Sequence, residues 1–169
     1  EAWFAHIPGL VVVAPATPQD NAALLQAAID CADPVIYLEH KELWGESGDV
    51  DPGARAELGR ACVRRTGSDV TLVAWSKAVH WALAAATEAA TRGIDVEVVD
   101  LRTLWPWDRD TVLASAARTR RLLVVHEAVE VAGFGAEIAA TAAEVLGIRV
   151  ARLGAPRIPV GYAATLEAE

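Results

Sequence analysis

Residues 122–127 read Leu-Leu-Val-Val-His-Glu, and together with residues 133–138, which read Gly-Phe-Gly-Ala-Glu-Ile, they decide the fold. The continuous apolar run is typical of a strand buried on both faces, as parallel strands in α/β proteins are. Apolar residues recur at helical spacing after Gly135, which predicts a helix of about 12 residues. His126 and Glu127 therefore fall at the carboxyl end of a parallel strand, where open α/β sheets usually hold a ligand or a partner.

The same alternation of strands and helices extends along the rest of the chain. Strands that alternate with helices of roughly 10 to 15 residues predict a largely parallel sheet with helices on both faces, a three-layer α/β/α fold. The predicted strands cover residues 10–14, 35–38, 62–64, 70–75, 94–99, 122–125 and 150–153, and the predicted helices after the first segment begin near Thr17, Ala78, Asp108 and Gly135.

The helix that follows the first strand has clear start signals. Thr17 is a favourable N-cap, and Pro18 at the first helical position has a backbone angle that suits a helix start. Leu25 and Ile29, together with alanines on the same side, predict the face that this helix buries.

Composition excludes several classes of protein. The chain has 169 residues, 53% of them hydrophobic, which is enough for an ordinary core. Its net charge is −8 and its 15 basic residues form no stripe, so nucleic acid is not the expected partner. A long uncharged apolar run and a signal-like start are absent, so we expect no membrane association. Cys31 and Cys62 are far apart in sequence, which favours free thiols in a reducing, cytoplasmic location.

Loop-forming and acidic residues dominate residues 44–57, between two strand–helix units. This segment is interpreted as a linker between two domains, and the alternative is a long functional loop inside one domain. The sequence contains no methionine and opens inside an apparent helix, Glu1 to His6, so we expect the chain to be a piece of a longer protein.

The polar residues at the strand end allow two interpretations. Gly133 and Gly135 before a helix could accommodate a phosphate, but the spacing is not that of a dinucleotide motif, and a tight turn with close packing is favoured. His126 and Glu127 could form an acid–base pair, although adjacent strand residues point to opposite faces. A hydrogen-bonded or interface histidine is the favoured interpretation.

The stretch from Arg102 to Asp108 favours a contact over catalysis. Trp105 and Trp107 flank Pro106 at a strand exit, which is typical of a packed corner or a subunit contact, and Arg102 could bridge carboxylates there. The chain contains no nucleophile elbow and no H-E-x-x-H or C-x-x-C motif, so neither a self-contained active site nor a zinc site is expected.

Five stretches in consistent order resemble the beta subunit of the thiamine-diphosphate-dependent 2-oxo acid dehydrogenases, the decarboxylating first component of multienzyme complexes. They are residues 1–10, 34–41, 67–75, 100–104 and 126–138. The resemblance implies that residues 1–43 end a pyrimidine-binding domain, that 44–57 link the domains, and that 58–169 form a transketolase-like carboxyl-terminal domain.

The resemblance also implies cofactors and partners. An alpha subunit would complete an α2β2 heterotetramer, with thiamine diphosphate and Mg²⁺ bound between alpha and beta subunits, and the assembly would dock on a dihydrolipoyl acyltransferase core. The enzyme would decarboxylate a 2-oxo acid and transfer the acyl group to lipoyl, with branched-chain acids slightly favoured over pyruvate or acetoin. Because the family's catalytic residues precede Glu1, this chain alone is expected to be inactive. The alternatives are a non-catalytic assembly module and a small α/β ligand-binding domain that uses the rim at His126.

Two sets of site residues follow from the resemblance and the patterns above. Related beta subunits carry a structural potassium site, which would fall here on backbone carbonyls of Ala28 and Cys31 and the side chain of Asp33. An interface in the parent protein is expected around an exposed Phe134, and its predicted members are Gly133, Phe134, Gly135, Trp105, Trp107 and His126.

Overall fold

Two β-sheets share a core in this protein, and the structure, a computed structural model, describes residues 1–161 and 163–167. The predicted carboxyl-terminal domain includes residues 162, 168 and 169, which lie outside the described part. The strands are β1 (Val11–Val13), β2 (Val35–Tyr37), β3 (Cys62–Arg65), β4 (Val70–Ala74), β5 (Val96–Asp100), β6 (Thr103–Trp105), β7 (Arg121–Val129) and β8 (Arg149–Ala155). The helices are α1 (Ala2–Ala5), α2 (Pro18–Asp30), α3 (Lys77–Thr91), α4 (Arg109–Thr119), α5 (Gly135–Leu146) and α6 (Ala164–Glu167), with a 3-10 turn at Lys41–Leu43.

The larger sheet has the strand order β3-β5-β4-β7-β8, in which the last four strands are parallel and β3 runs antiparallel at one edge. Val73, Val99 and Val124 share a core cluster with residues of α4 and α5. Leu72 and Val98 lie in a second cluster with residues of α3. Because neighbouring strand residues face opposite sides, these clusters are the two faces of the sheet. The predicted three-layer fold with a mostly parallel sheet is confirmed.

The smaller sheet has the order β2-β1-β6 and was only partly predicted. β1 pairs in parallel with β2, as expected of a strand–helix–strand unit, and β6 adds to its other side in antiparallel register, with Val12 opposite Trp105. β6 has three residues, too few for a periodic signal in the sequence. Its pairing joins the amino-terminal segment to the chain that follows β5, while residues 44–57 form exposed turns and coil between them.

The predicted buried face of α2 is wrong. Leu25 and Ile29 are exposed, Ile29 at 70%, whereas Ala23 and Leu24 are buried. Leu24 packs with Val11 and Val13 of β1, so a single turn of the helix faces the sheet. The contact of Leu24 with β1 sets the rotation of α2 about its axis, and the apolar pattern of the sequence did not predict this rotation.

A cluster of four charged side chains joins α2 to the larger sheet. Arg64 donates to Asp100 Oδ2 from Nη2 at 2.8 Å and from Nε at 3.1 Å, and it also contacts Asp20. Arg102 donates its backbone N–H to Asp100 Oδ1 at 3.1 Å, and its Nη1 lies 3.5 Å from Asp20 Oδ1. Both carboxylates are buried. The carboxylate contact predicted for Arg102 therefore forms, with Arg64 as the stronger donor.

The turn between β4 and α3 has an unfavourable backbone conformation. Ser76 has φ 52° and ψ −135°, close to a region that only glycine occupies readily. Its side chain makes no capping hydrogen bond with any described residue, so nothing in the turn offsets this strain.

Replacing Ser76 with glycine is expected to raise the free energy of unfolding by about 1 kcal/mol, because glycine adopts this conformation without a clash. Urea unfolding at neutral pH measures the change. Ser47→Gly is the matched control, since Ser47 lies in an exposed turn and has no positive φ. A Ser76→Gly protein no more stable than the wild type would show that the turn is not strained.

Asp100→Asn tests the buried ion cluster. Burial raises the pKa of Asp100 to about 6, and the nearby Arg64 guanidinium lowers it by less. A carboxyl group whose folded pKa exceeds its unfolded value stabilises the protein below the unfolded pKa and loses that contribution as pH rises to the folded value. The stability difference between wild type and Asp100→Asn should therefore fall by roughly 3 kcal/mol between about pH 4 and pH 6.

Urea unfolding at several pH values measures this difference, and the exposed Asp49→Asn serves as the control that should show no such slope. A difference that rises with pH would contradict the expectation and would mean that pairing with Arg64 outweighs burial in setting the ionisation of Asp100.

Candidate functional site

The carboxyl ends of β4, β5 and β7 meet at one edge of the larger sheet, and the amino-terminal segment covers this edge. The carbonyl oxygen of Ala16 lies 2.7 Å from His80 Nε2 on α3, and His40 lies against Glu127 on β7. Ala14 and Ala16 join the core clusters on the two faces of the sheet. The usual ligand position of an α/β sheet is therefore an internal contact here.

His40 and Glu127 form a hydrogen-bonded pair whose two partners come from opposite sides of this contact. His40 Nε2 lies 2.8 Å from Glu127 Oε2, and its Nδ1 accepts the backbone N–H of Glu42 at 3.2 Å. Both ring nitrogens are thus engaged, so the pair holds two parts of the chain together and has no nitrogen left for a substrate. This pair has no signature in the sequence, because the two residues are distant along the chain.

His126 and Glu127 do not share a site. β7 continues to Val129, so the two side chains point to opposite faces of the strand. Glu127 is exposed and binds His40, whereas His126 is only 2% exposed and stacks on Trp75 with ring centroids 5.2 Å apart. Burial lowers the pKa of His126. The ligand-binding alternative required His126 to lie at the rim of the sheet, but the structure buries it.

The predicted interface residues divide into buried and exposed positions. Phe134 is 7% exposed and packs edge-on against Trp75, at 6.1 Å between ring centroids, so the expectation of an exposed Phe134 is wrong. Gly133 and Gly135 are buried beside it. Their missing side chains let the loop lie flat on the sheet, which turns the phenylalanine inward.

Of the two predicted tryptophans, Trp107 is half-buried and packs on the core, whereas Trp105 is 42% exposed. The structure adds exposed apolar neighbours that sequence reasoning missed, namely Trp3, Ile7 and Val131. Such isolated apolar residues carry no periodic signal, so only the fold reveals that they are neighbours.

These exposed residues line an open cleft of about 1120 Å³. The lining comes from residues 1–3 and 5–9, from residues 128–129 and 131–134, and from Trp105 and Glu137. The walls are mainly apolar, and Glu1 and the exposed Glu137 also line the cleft. Aromatic and aliphatic walls with few polar groups are typical of a protein contact.

The three predicted potassium ligands lie together at the end of α2. The helix ends at Asp30, and the backbone N–H of Cys31 donates to the carbonyl oxygen of Ala28 over a long 3.4 Å. Asp33 is exposed just beyond. The last carbonyls of a helix carry partial negative charge and favour cations, so the position suits a cation bound mainly by backbone oxygens.

Other ligand chemistry finds little support in the part of the chain that the structure describes. No group of three or more His, Cys, Asp or Glu side chains among residues 1–161 and 163–167 could hold a metal ion. No helix of the same ranges is long and apolar enough to cross a membrane.

Comparisons with known proteins agree with this architecture. Residues 59–169 match the transketolase C-terminal domain, and residues 1–46 match the transketolase pyrimidine-binding domain. A solved structure described as a split-gene transketolase in an inactive beta4 tetramer superposes with a TM-score of 0.85 at 31% identity, covering 99% of this chain and 54% of that one.

The curated relatives are beta subunits. The chain is 46% identical to the beta subunit of the acetoin:2,6-dichlorophenolindophenol oxidoreductase of Cupriavidus necator, covering 97% of this chain and 50% of that protein. It is 41% identical to the mitochondrial pyruvate dehydrogenase E1 component subunit beta-2 of Oryza sativa subsp. japonica, covering 98% of this chain and 46% of that one. It thus spans about half the length of these relatives. The predicted resemblance is confirmed, and the chain belongs to the transketolase C-terminal domain family, in the form found in the dehydrogenase beta subunits.

Proposed function

We propose that this chain is the carboxyl-terminal part of a beta subunit of a thiamine-diphosphate-dependent 2-oxo acid dehydrogenase, and that its role there is assembly. The whole enzyme would decarboxylate a 2-oxo acid and transfer the acyl group to lipoyl on an acyltransferase core. Its alpha subunit would complete an α2β2 heterotetramer. Similarity to dehydrogenase beta subunits over nearly the whole chain supports the enzyme class.

The covered carboxyl edge of the larger sheet is the observation that carries the assembly role. Ala16, Asp20 and His40 occupy the position at which an α/β sheet would otherwise bind a ligand. The described residues also do not fit the cofactor. The buried carboxylates Asp20 and Asp100 already pair with arginines, so they are not free to ligate the Mg²⁺ that a diphosphate needs. We therefore assign thiamine diphosphate and Mg²⁺ to other parts of the assembly.

The cleft lined by Trp3, Ile7, Trp105 and Val131 is the surface that we assign to the alpha subunit. Exposed aromatic residues in an apolar cleft are the residue type that anchors protein contacts, and truncating such an anchor typically costs 2 kcal/mol or more. This surface replaces Phe134 as the centre of the interface, because Phe134 is used within the core.

Substrate choice stays a prediction. Relatives of nearly equal similarity are named for acetoin, pyruvate and 2-oxoisovalerate, at 46%, 41% and 42% identity. The slight preference for branched-chain acids rests on sequence motifs alone. Turnover of the three 2-oxo compounds by the assembled enzyme is the direct comparison.

Val131→Asp is the test of the assembly role. Val131 is 62% exposed on the wall of the cleft, so a carboxylate there should leave folding intact and weaken association with the alpha subunit at least tenfold, since a buried unpaired charge is unfavourable. Sedimentation of the co-expressed subunits and turnover of a 2-oxo acid by the assembled enzyme are the measurements.

Val50→Asp is the matched control, because Val50 is also an exposed loop valine, at 40%, but lies away from the cleft. If both variants assemble and turn over substrate like the wild type, the cleft is not the subunit contact and the assembly role fails.

The end of α2 is proposed to hold K⁺. Binding to the folded state alone should raise the melting temperature in potassium chloride, by about 2 °C or more, relative to tetramethylammonium chloride at equal ionic strength. Asp33→Ala should remove the difference, and Asp49→Ala, an exposed aspartate elsewhere, should keep it. Equal melting temperatures of the wild type in the two salts would rule out the site.

A further inference from the structure

His126 is held at an irregularity in the larger sheet. The pairing of β7 with β8 shifts register between Val125 and Val129, and the histidine lies inside this interval. Its ring is 2% exposed and nearly parallel to Trp75, with 17° between the ring planes. Stacking on Trp75 therefore fixes one face of the ring, and the backbone of β7 limits how far the side chain can move.

Three glycines enclose the ring. A methyl group at Gly133 would lie 2.6 Å from His126 Cε1, one at Gly135 would lie 2.7 Å from Cδ2, and one at Gly154 would lie 2.9 Å from Cε1. All of these distances are shorter than real contacts of a methyl carbon, so the backbone lies directly on the imidazole. The ring cannot shift unless residues 130–135 shift with it.

The hydrogen bond at Nδ1 fixes the tautomer. Nδ1 of His126 lies 3.0 Å from the carbonyl oxygen of Ala128, which can only accept, so Nδ1 carries the proton. Nε2 then has a lone pair, and it has no hydrogen-bond partner among the described residues. It faces the start of α5, where a methyl group at Gly135 would come within 2.8 Å of it.

The charges around His126 act in opposite directions on a second proton. Glu1 beside α1 and Glu130 after β7 favour the protonated ring, while Arg152 on β8 opposes it and is itself paired with Glu130 at 3.5 Å. Glu127 is turned to His40, and Glu137 in the first turn of α5 is exposed. The positive end of the α5 dipole also opposes a cation at this position.

We propose that His126 is a pH switch. Its neutral ring holds residues 130–135 against the sheet, and protonation at Nε2 releases them. A protonated Nε2 would carry an N–H with no acceptor at hydrogen-bond distance among residues 1–161 and 163–167, enclosed by backbone and next to a helix amino terminus. The protonated ring regains its hydration only when it leaves the space between the three glycines, and residues 130–135 must move before it can leave. Because this loop forms part of the cleft, the switch would also change the shape of the surface that we assign to the alpha subunit. This consequence rests on the proposed assembly role.

The direction of the pH dependence follows from burial, which lowers the pKa of His126 below its ordinary value near 6.5. A histidine with a depressed folded pKa contributes its stabilisation above the unfolded pKa and loses it as pH falls. The loop is thus held at neutral pH and above. On acidification from pH 6.5 to the folded-state pKa of His126, its released fraction should rise about tenfold per pH unit, and below that pKa it should level off.

Nuclear magnetic resonance of the chain with ¹⁵N-labelled histidine tests the proposal directly, since the chain contains four histidines. The expected result is a His126 ring protonated at Nδ1 that titrates below pH 6.5, together with exchange broadening of the 130–135 backbone amides over the same pH range. A ring protonated at Nε2 when neutral, a pKa at or above 6.5, or loop amides that do not respond while the ring titrates would overturn it.

His126→Gln is the companion variant, because glutamine can donate to the Ala128 carbonyl and does not titrate; the loop should lose its pH response. His80→Gln is the control, since His80 binds Ala16 away from the loop, and it should retain the response. The wild-type titration remains decisive if His126→Gln does not fold. If the ring and the loop respond to pH together but Val131→Asp assembles normally, the assembly role is refuted and the pH switch is not. If Val131→Asp impairs assembly but the loop does not respond to pH, the pH switch is refuted and the assembly role is not.

Discussion

The placement of the amino-terminal segment depends on the buried cluster of Asp20, Asp100, Arg64 and Arg102. Charges out of water are strongly unfavourable unless each is paired and hydrogen-bonded, so a small displacement of α2 would leave at least one of them unpaired. Apolar residues in place of such a cluster can leave a protein equally stable. The contribution of the charged cluster is therefore to specify one arrangement of the chain, and not to add stability. Here it fixes which turn of α2 meets the sheet, and it places Arg102 in the left-handed conformation that leads into β6.

That arrangement relocates the functional surface. With the carboxyl edge of the larger sheet covered by the chain itself, the surface that we assign to the partner is the apolar cleft beside the β7–α5 loop. Its walls come from the first nine residues, from β6 and from the loop after β7. The contact surface therefore exists only when both predicted domains are in place, and neither of them forms it alone.

Apolar patterning predicted the larger sheet well, because strands buried on both faces, such as 70–74 and 122–125, leave continuous signals in the sequence. It failed where geometry depends on residues distant along the chain. Leu25 and Ile29 have helical spacing and are nevertheless exposed, because the ion cluster and Leu24 set the rotation of α2. The assignment of an interface to the β7–α5 loop stays a prediction. Phe134 was wrongly placed at the surface, since nothing in Gly-Phe-Gly says which way the ring turns.

The antiparallel pairing of β1 with β6 has a consequence for how this protein is made. Val12 and Trp105 are partners in the smaller sheet although roughly ninety residues separate them, a contact of high sequence separation. During synthesis at ordinary rates, β1 leaves the ribosome roughly 5 to 20 seconds before β6 is available to cover it. Throughout that interval one edge of the Val11–Val13 strand leaves its backbone N–H and C=O groups unpaired, so the nascent chain is most prone to wrong associations before the larger sheet has emerged.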